Sequence, residues 1–260
     1  RCIRSIFKYT EGIKFEVIVV DNNSSDNSAQ MLKNNFPQVK LIKNKVNRYY
    51  TGANNQSLKI AKGKYFLILN ADTCFVDNSI KKIFDYMENN VGVGVVEGLE
   101  IYEDGTLVPN GSRFSSPLID FYELSFIGKH FKDRKMIDKY RIANKKRDES
   151  FDIDVGCDAF LMVRKDILDK IGGYDEKFLL YYTENDLCLR IKKLGYKIVH
   201  FGSAKVIHKV SASTSKIGWK KADIYYKDLL WYYRKHGFAI SGTLLYILLK
   251  LEEVILRIIK

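Results

Sequence analysis

Short apolar runs alternate with amphipathic stretches through the first half of the chain. Phe15 to Val20 (Phe-Glu-Val-Ile-Val-Val) has the length and β-branched content of a buried strand. The polar run after it, Asp21-Asn22-Asn23-Ser24-Ser25-Asp26, is rich in turn and N-cap residues. It predicts a helix over 27–35, stopped before Pro37. Val39 to Lys43 reads as a short strand, Gly52 to Ala61 as a helix, and Tyr65 to Leu69 as another buried strand. This rhythm predicts an α/β fold with a mostly parallel sheet. Arg1 to Tyr9 is helix-like with no strand ahead of it, so we expect the natural first strand to be missing from the chain.

The pattern loosens in the middle. A helix is expected over 78–89 and a strand over 91–99. Residues 105–150 hold two of the three prolines and read as a long excursion. Regularity returns with strand character in Phe151 to Val163, a helix over 166–171 and the turn Gly172-Gly173-Tyr174-Asp175. A helix follows over 184–194, then strand-like stretches at 197–199 and 204–207. Trp219 to His236 reads as a polar, aromatic helix. Leu244 to Ile259 places apolar residues at i, i+3, i+4 and i+7, a wide apolar face. The expected division is a main domain over 1–213 and a helical appendage over 214–260.

Length and composition sharpen this picture. With 260 residues, 46% of them hydrophobic, the chain can bury a sizeable core. The four cysteines, Cys2, Cys74, Cys157 and Cys188, are widely spaced and form no zinc pattern, as expected of reduced thiols in a cytosolic chain. No signal peptide and no apolar run of membrane-spanning length is found. The net charge of +12 is confined to two segments, 129–147 and 214–260. Such local basic surfaces suit an anionic partner, either phosphate or a lipid headgroup. The last helix, with Lys250, Arg257 and Lys260, suits peripheral contact with a membrane surface; a homodimer contact is the other use of such a face.

Candidate chemistry lies where the apolar runs end. Tyr65–Leu69 stops abruptly in Asn70-Ala71-Asp72, and Phe15–Val20 in Asp21. Ligands of α/β proteins sit at the carboxyl ends of strands, and a hard cation such as Mg²⁺ or Mn²⁺ wants carboxylates plus substrate phosphates there. Alone, Asp72 serves equally well as a helix cap. A third acidic cluster, Glu184 and Asp186, follows the Gly172-Gly173 turn. Alone, both suit the first turn of a helix, where the dipole favours acids.

The order of these motifs resembles glycosyltransferase family 2, especially the rhamnosyltransferase-like enzymes of bacterial surface-polysaccharide assembly. The resemblance is carried by Val-Ile-Val-Val-Asp-Asn-Asn-Ser-Ser-Asp (17–26), Asn47…Gly52-Ala53-Asn54-Asn55, Leu-Asn-Ala-Asp-Thr (69–73), Gly-Gly-Tyr-Asp-Glu (172–176), Glu-Asn-Asp-Leu-Cys-Leu-Arg (184–190) and His208. It covers roughly residues 1–210. It implies a GT-A fold, a nucleotide-binding sheet fused to an acceptor-binding half, and inverting transfer from a nucleoside-diphosphate sugar. dTDP-rhamnose or a UDP-sugar is the favoured donor, and a saccharide or lipid-linked saccharide the acceptor.

By resemblance, Asp21 and Asn23 contact the nucleotide, with Gly52 and Asn54 in a loop beside it. Asn70 and Asp72 form the DxD-like motif, and Asp72 with His208 completes a Mn²⁺ or Mg²⁺ site. Glu184 resembles the catalytic base, with Asp186 beside it. Cys157, Asp158, Gly173 and Tyr174 fall on the acceptor side. The chain departs from the family twice: Asn70 opens the DxD-like motif, and the usual Glu-Asp-x-Asp reads Thr183-Glu184-Asn185-Asp186. The implied location is cytoplasmic, at the inner face of the bacterial cell membrane.

Other classes fit less of the chain. A NAD enzyme would want G-x-G-x-x-G after a strand, which is not found. A nucleotidyltransferase would want a Gly-rich, Lys/Arg-bearing phosphate loop. A nucleic-acid binder accounts for the basic charge but for none of the acidic strand ends, so no nucleic acid is expected. An inactive sugar-nucleotide binder is the remaining alternative.

Overall fold

The computed structural model describes residues 1–209 and 220–259. The expected boundary between residues 213 and 214 lies outside these, as do Trp219, Lys260 and the side chain of Arg257. The elements run α1 (Cys2–Tyr9), β1 (Ile18–Asp21), α2 (Ser28–Asn35), β2 (Lys40–Lys43), α3 (Tyr49–Ile60), β3 (Tyr65–Leu69), β4 (Thr73–Cys74), α4 (Ser79–Asn89) and β5 (Val93–Ile101). Then come α5 (Pro117–Leu124), α6 (Phe126–His130), α7 (Arg134–Tyr140), β6 (Ser150–Ile153), β7 (Phe160–Arg164), α8 (Lys165–Ile171), α9 (Thr183–Lys193), β8 (Lys197–His208), α10 (Lys220–Lys235) and α11 (Ala239–Ile259).

The strand–helix–strand rhythm of the first half becomes a parallel β1–α2–β2 unit, with Ile18 opposite Lys40 and Asp21 opposite Lys43. Beside it stands a six-stranded sheet in the order β3-β7-β5-β8-β4, with β6 also paired to β8. β7 runs antiparallel to both β3 and β5, and β5 runs parallel to β8. β3, β5 and β8 therefore share one direction, with β7 reversed between them. The sheet is mixed, because β7 returns by a route that the rhythm of the first half does not contain.

Several boundaries move for physical reasons. β1 begins at Ile18 rather than Phe15, because Glu16 turns outward to an ion pair with Lys40 at 2.5 Å and accepts the Lys62 N–H at 2.6 Å. The two strand-like stretches at 197–199 and 204–207 are one strand, β8, whose register against β5 slips between Gly98 and Leu99. The 105–150 excursion is structured: it folds into α5, α6 and α7 before β6.

The six-stranded sheet has helices on both faces. One face packs Leu161, Val163 and Ile198 against Ile167 and Leu168 of α8 and Leu187 and Ile191 of α9. The other packs Val96, Phe160, Met162 and Val206 against Ile6 of α1 and Ile80, Ile83 and Met87 of α4. β5 is buried along nearly its whole length. Gly98 lets it pass β7, since a Cβ there would sit 2.1 Å from the Phe160 ring.

A third core joins Phe178 and Tyr182 to Leu229, Tyr232 and Tyr233 of α10 and Leu245 and Leu249 of α11. Buried carboxylates tie these helices down. Asp120 accepts the Tyr182 and Tyr233 hydroxyls, each at 2.5 Å, and Asp228 accepts the backbone N–H groups of Leu179, Leu180 and Tyr181. Hydrogen-bonded carboxylates of this kind satisfy groups that would otherwise be costly to bury. Among the described residues, no helix is long and apolar enough to cross a membrane.

Candidate active site

Because β3, β5 and β8 run in one direction, their carboxyl ends lie at one edge of the sheet. β7 is reversed, so its first residue reaches that edge too. Four stretches meet there: Asn70–Asp72 after β3, the Glu100 end of β5, the His208 end of β8, and Cys157–Ala159 before β7. The Asn70 N–H donates to the Ala159 carbonyl at 3.3 Å, which joins the first stretch to the last.

On one side of this edge, His208 stands between two acids. Its Nε2 is 3.2 Å from Asp72 Oδ1, and its Nδ1 is 2.5 Å from Glu100 Oε2. β4 pairs with β8 to set the approach, with Thr73 opposite His208 and the Lys209 N–H donating to the Asp72 carbonyl at 3.2 Å. Burial alone would lower the imidazole pKa, but the hydrogen bond and charge of Glu100, with Asp72, outweigh it and raise the group above its usual range. Glu100 is buried and also accepts Asn110 Nδ2 at 3.4 Å. Beside it, Glu97 takes His200 Nδ1 at 2.6 Å and the Cys157 N–H at 2.5 Å. Burial and the neighbouring Glu100 and Glu97 push the Cys157 thiol up.

The donor set of Asp72 and His208 fits a divalent cation that completes its shell with ligand oxygens. A ligating histidine ordinarily gives its other ring N–H to a carboxylate, and Glu100 stands at that nitrogen. Among the described residues, no group of three or more His, Cys, Asp or Glu side chains is gathered for a metal.

On the other side stands Glu184, in the first turn of α9. The chain enters this helix through Tyr182 in the left-handed region, with φ of 55°. Thr183 Oγ1 donates to Glu184 Oε2 at 2.8 Å. Burial raises the Glu184 carboxyl above its usual range. Its neighbour is Asp158, buried, with Oδ2 accepting the Tyr174 hydroxyl at 2.9 Å and Oδ1 without a hydrogen-bond partner. Burial and the Glu184 charge push Asp158 well above the carboxylate range. The Tyr50 hydroxyl in the same cluster is buried without a partner, and its ring meets Tyr174 edge-on at 5.9 Å.

Asp186 is in a different situation. Its Oδ1 takes His236 at 2.9 Å and Lys235 at 2.7 Å, and its Oδ2 takes Arg190 at 2.8 Å. Burial would raise this carboxyl, but His236, Arg190 and Lys235 outweigh it and hold it below its usual range. Asp186 thus binds α9 to α10 rather than facing open space with a free oxygen.

The nucleotide-side candidates are more scattered. Asp21 is buried at the end of β1, with Oδ1 on the Ser24 N–H at 2.9 Å and Oδ2 unpartnered. Asn23 adopts φ of 68° in the turn after it. Gly52 and Asn54 lie inside α3, as the helical pattern from Gly52 predicts and not in the loop that the resemblance implies, because the helix begins at Tyr49. Asn54 spends its amide on the Tyr50 carbonyl of its own helix.

The neighbouring Asn55 makes the long-range tie: it accepts the Tyr174 N–H and donates to the Tyr174 carbonyl, both at 2.9 Å. This close approach explains Gly173, whose φ is 71° and where a Cβ would sit 2.6 Å from Asn55 Oδ1. Glu97, Glu100, Tyr50 and Asn55 are the residues that sequence reasoning missed. The signal for Glu97 and Glu100 is two acids inside an otherwise apolar strand, and Asn55 closes the Gly52-Ala53-Asn54-Asn55 motif, while Tyr50 carries none.

Comparison with known proteins bears on this geometry. Residues 1–172 match the profile described as "Glycosyl transferase family 2". An N-acetylglucosaminyl-diphospho-decaprenol L-rhamnosyltransferase of Mycobacterium tuberculosis is 25% identical over 213 residues, covering 77% of this chain and 68% of that one. A UDP-Glc:alpha-D-GlcNAc-diphosphoundecaprenol beta-1,3-glucosyltransferase of Escherichia coli is 31% identical over 117 residues, 44% of each chain.

Among solved structures, GalNAc-T7 with UDP, GalNAc and Mn²⁺ aligns with a TM-score of 0.59 at 14% identity, over 80% of this chain and 40% of that one. A Pyrobaculum calidifontis mannosyltransferase with GDP-Man and Mn²⁺ aligns with a TM-score of 0.58 at 14% identity, over 96% and 68%. The fold is that of the GT-A glycosyltransferases.

Proposed function

The chain belongs to glycosyl transferase family 2, and from that membership we propose that it transfers a sugar, with inversion, from a nucleoside diphosphate to a hydroxyl of a lipid-linked saccharide. The observation that carries this reading is the separation of acids along one sheet edge. Asp72 and His208 offer donors to a cation on one side, while Glu184 lies on the other with no cation beside it.

The chemistry follows from these residue types. An acceptor hydroxyl is a poor nucleophile, and a carboxylate within hydrogen-bond reach takes its proton as the new bond forms. Glu184 is that base. Its half-buried setting raises its proton affinity, while its first-turn position lets the helix dipole favour the anion. The acceptor oxygen bonds to the anomeric carbon, the bond from that carbon to the diphosphate breaks on the opposite face, and the centre inverts. A cation held by Asp72 and His208 would offset charge on the departing diphosphate. Asp21, with its unpartnered oxygen, serves the nucleotide, and Asp158 and Tyr174 line the acceptor side behind Glu184.

Two relatives bear names that contain polyprenyl diphosphate acceptors, which supports the lipid-linked class. The solved neighbours hold UDP or GDP-Man with Mn²⁺, which supports a nucleoside-diphosphate donor and a divalent cation. dTDP-rhamnose and UDP-sugars are the donors to try first.

The test is thermal unfolding with dTDP, UDP or GDP, each with and without Mn²⁺. A ligand at about 100 times its Kd adds about 2.7 kcal/mol, worth several degrees for a chain of this size. A metal-dependent rise with one nucleotide, followed by transfer from the corresponding sugar, is expected. Binding without transfer to any lipid-linked acceptor would make the protein a sugar-nucleotide binder instead.

A further inference from the structure

The last helix has two apolar faces and only one of them is covered. Gly242, Leu245 and Leu249 face inward, with Gly242 against Tyr233. Leu244 (63% exposed), Ile247, Leu251 (57%) and Ile255 form an outward row at i, i+3, i+7 and i+11. A helix apolar on all sides normally lies buried, and contiguous exposed apolar surface marks an interaction site.

A second element extends this surface. Glu252, on the inward side of α11, accepts the Ser125 hydroxyl and the Phe126 and Ile127 N–H groups at 2.7–3.0 Å. This tie fixes the start of α6 against α11, and α6 leaves Phe126 exposed, as is Phe131 (72%) just after the helix. The basic block begins in the same helix. Lys129, Arg134, Lys135 and Lys139 are all exposed and, among the described residues, none is ion-paired. Of the nearby acids, Glu123 is engaged by Lys132 and Arg141, Glu252 by the α6 cap and the Lys129 charge, and Asp133 by the start of α7, and over 129–139 five Lys/Arg still outnumber Asp133 and Asp138.

We propose that the outer face of α11 and the exposed side of α6 together form one docking surface for an anionic lipid bilayer. The apolar rows enter the headgroup–acyl boundary while the unpaired cations of 129–139 meet the lipid phosphates. Both components are what interfacial binding requires: apolar burial, and attraction to anionic headgroups. The charge of the rim favours a lipid over a second copy of this chain, since two such rims would repel. The inference deepens the functional reading by naming the surface from which a lipid-linked acceptor is reached.

The test is sedimentation of the full chain with phosphatidylcholine vesicles and with phosphatidylcholine–phosphatidylglycerol vesicles, without donor or acceptor, so it does not depend on transfer. Binding only to the anionic vesicles, weakening with salt, is expected. Leu251→Ser with Ile255→Ser should lower partitioning at least tenfold, and Lys129→Gln and Lys135→Gln by roughly fivefold each. All four positions are exposed, so unchanged unfolding temperatures should accompany the losses. No binding to either vesicle, or binding that ignores these substitutions, would overturn the proposal. So would a concentration-dependent dimer that the Leu251→Ser/Ile255→Ser pair dissociates, which would make the face an interface between copies.

Discussion

The two sides of the sheet edge use the same residue types to opposite electrostatic ends. Around His208, each carboxylate has a cationic or potentially cationic neighbour, and the imidazole is held above its ordinary pKa. Around Glu184, two carboxyls sit together with tyrosine hydroxyls and no cation, and both are pushed up by burial. The first arrangement stores negative charge that a metal can exploit. The second stores proton affinity. Asp186 shows the third outcome open to a buried acid: its charge is cancelled by Arg190 and Lys235, with a hydrogen bond to His236, and it becomes a tie between helices. The contrast supports the proposed roles beyond what residue identity does, since the Glu-Asp-x-Asp motif alone leaves open whether Glu184 or Asp186 is the base.

The sharpest way to break this contrast is to exchange the two acids of α9. Glu184→Gln should slow transfer by roughly 10²–10⁴-fold with donor binding intact. Asp186→Asn should instead act on the fold, with a loss of about 3 kcal/mol in chemical denaturation, because Arg190 and Lys235 lose the buried charge that neutralises them. If Asp186→Asn alone abolished transfer in a protein of unchanged stability, the roles would be reversed. On the metal side, Glu100→Gln should weaken Mn²⁺ binding roughly 10–100-fold by calorimetry, as loss of a histidine's outer partner does. Wild-type affinity in that variant would reduce Glu100 to a packing residue. A smaller effect is one of pH. The proton on His208 competes with metal, so Mn²⁺ affinity should rise by up to about tenfold per pH unit until the raised imidazole pKa is passed, then level off. A flat profile would remove His208 from the site.

The two sides also differed in how far the sequence revealed them. Asp21, Asp72 and Glu184 were legible because each interrupts an apolar run or opens a helix, and a strand end is visible in a linear pattern. Glu100 was not, because it lies inside a strand buried almost throughout, where an acid reads as an irregularity. Asp158 was placed on the acceptor side by resemblance, yet its contact with Glu184 depends on β7 entering between β3 and β5, a pairing that no local pattern encodes. The same holds for the last helices. Their apolar faces were plain, but Asp120 and Asp228, which secure them, look like ordinary first-turn or surface acids until the chain is folded.

The last test asks whether Asp158 belongs with the proton-storing side at all. Its folded pKa is raised, so its contribution to stability is fully present below the unfolded value of about 3.9 and is lost as pH rises through the folded pKa. At neutral pH the fold must either keep this carboxyl protonated or bury a second negative charge beside Glu184. Asp158→Asn removes that obligation while keeping the shape and a partner for the Tyr174 hydroxyl. The variant should therefore unfold at a higher temperature than the wild type, by a margin that widens between pH 5 and pH 8. A site that gains stability when a functional group is neutralised is the usual sign of strain kept for activity. If Asp158→Asn lowered the unfolding temperature equally at both pH values, Asp158 would be an ordinary structural anion, and the proton-storing cluster would shrink to Glu184 alone.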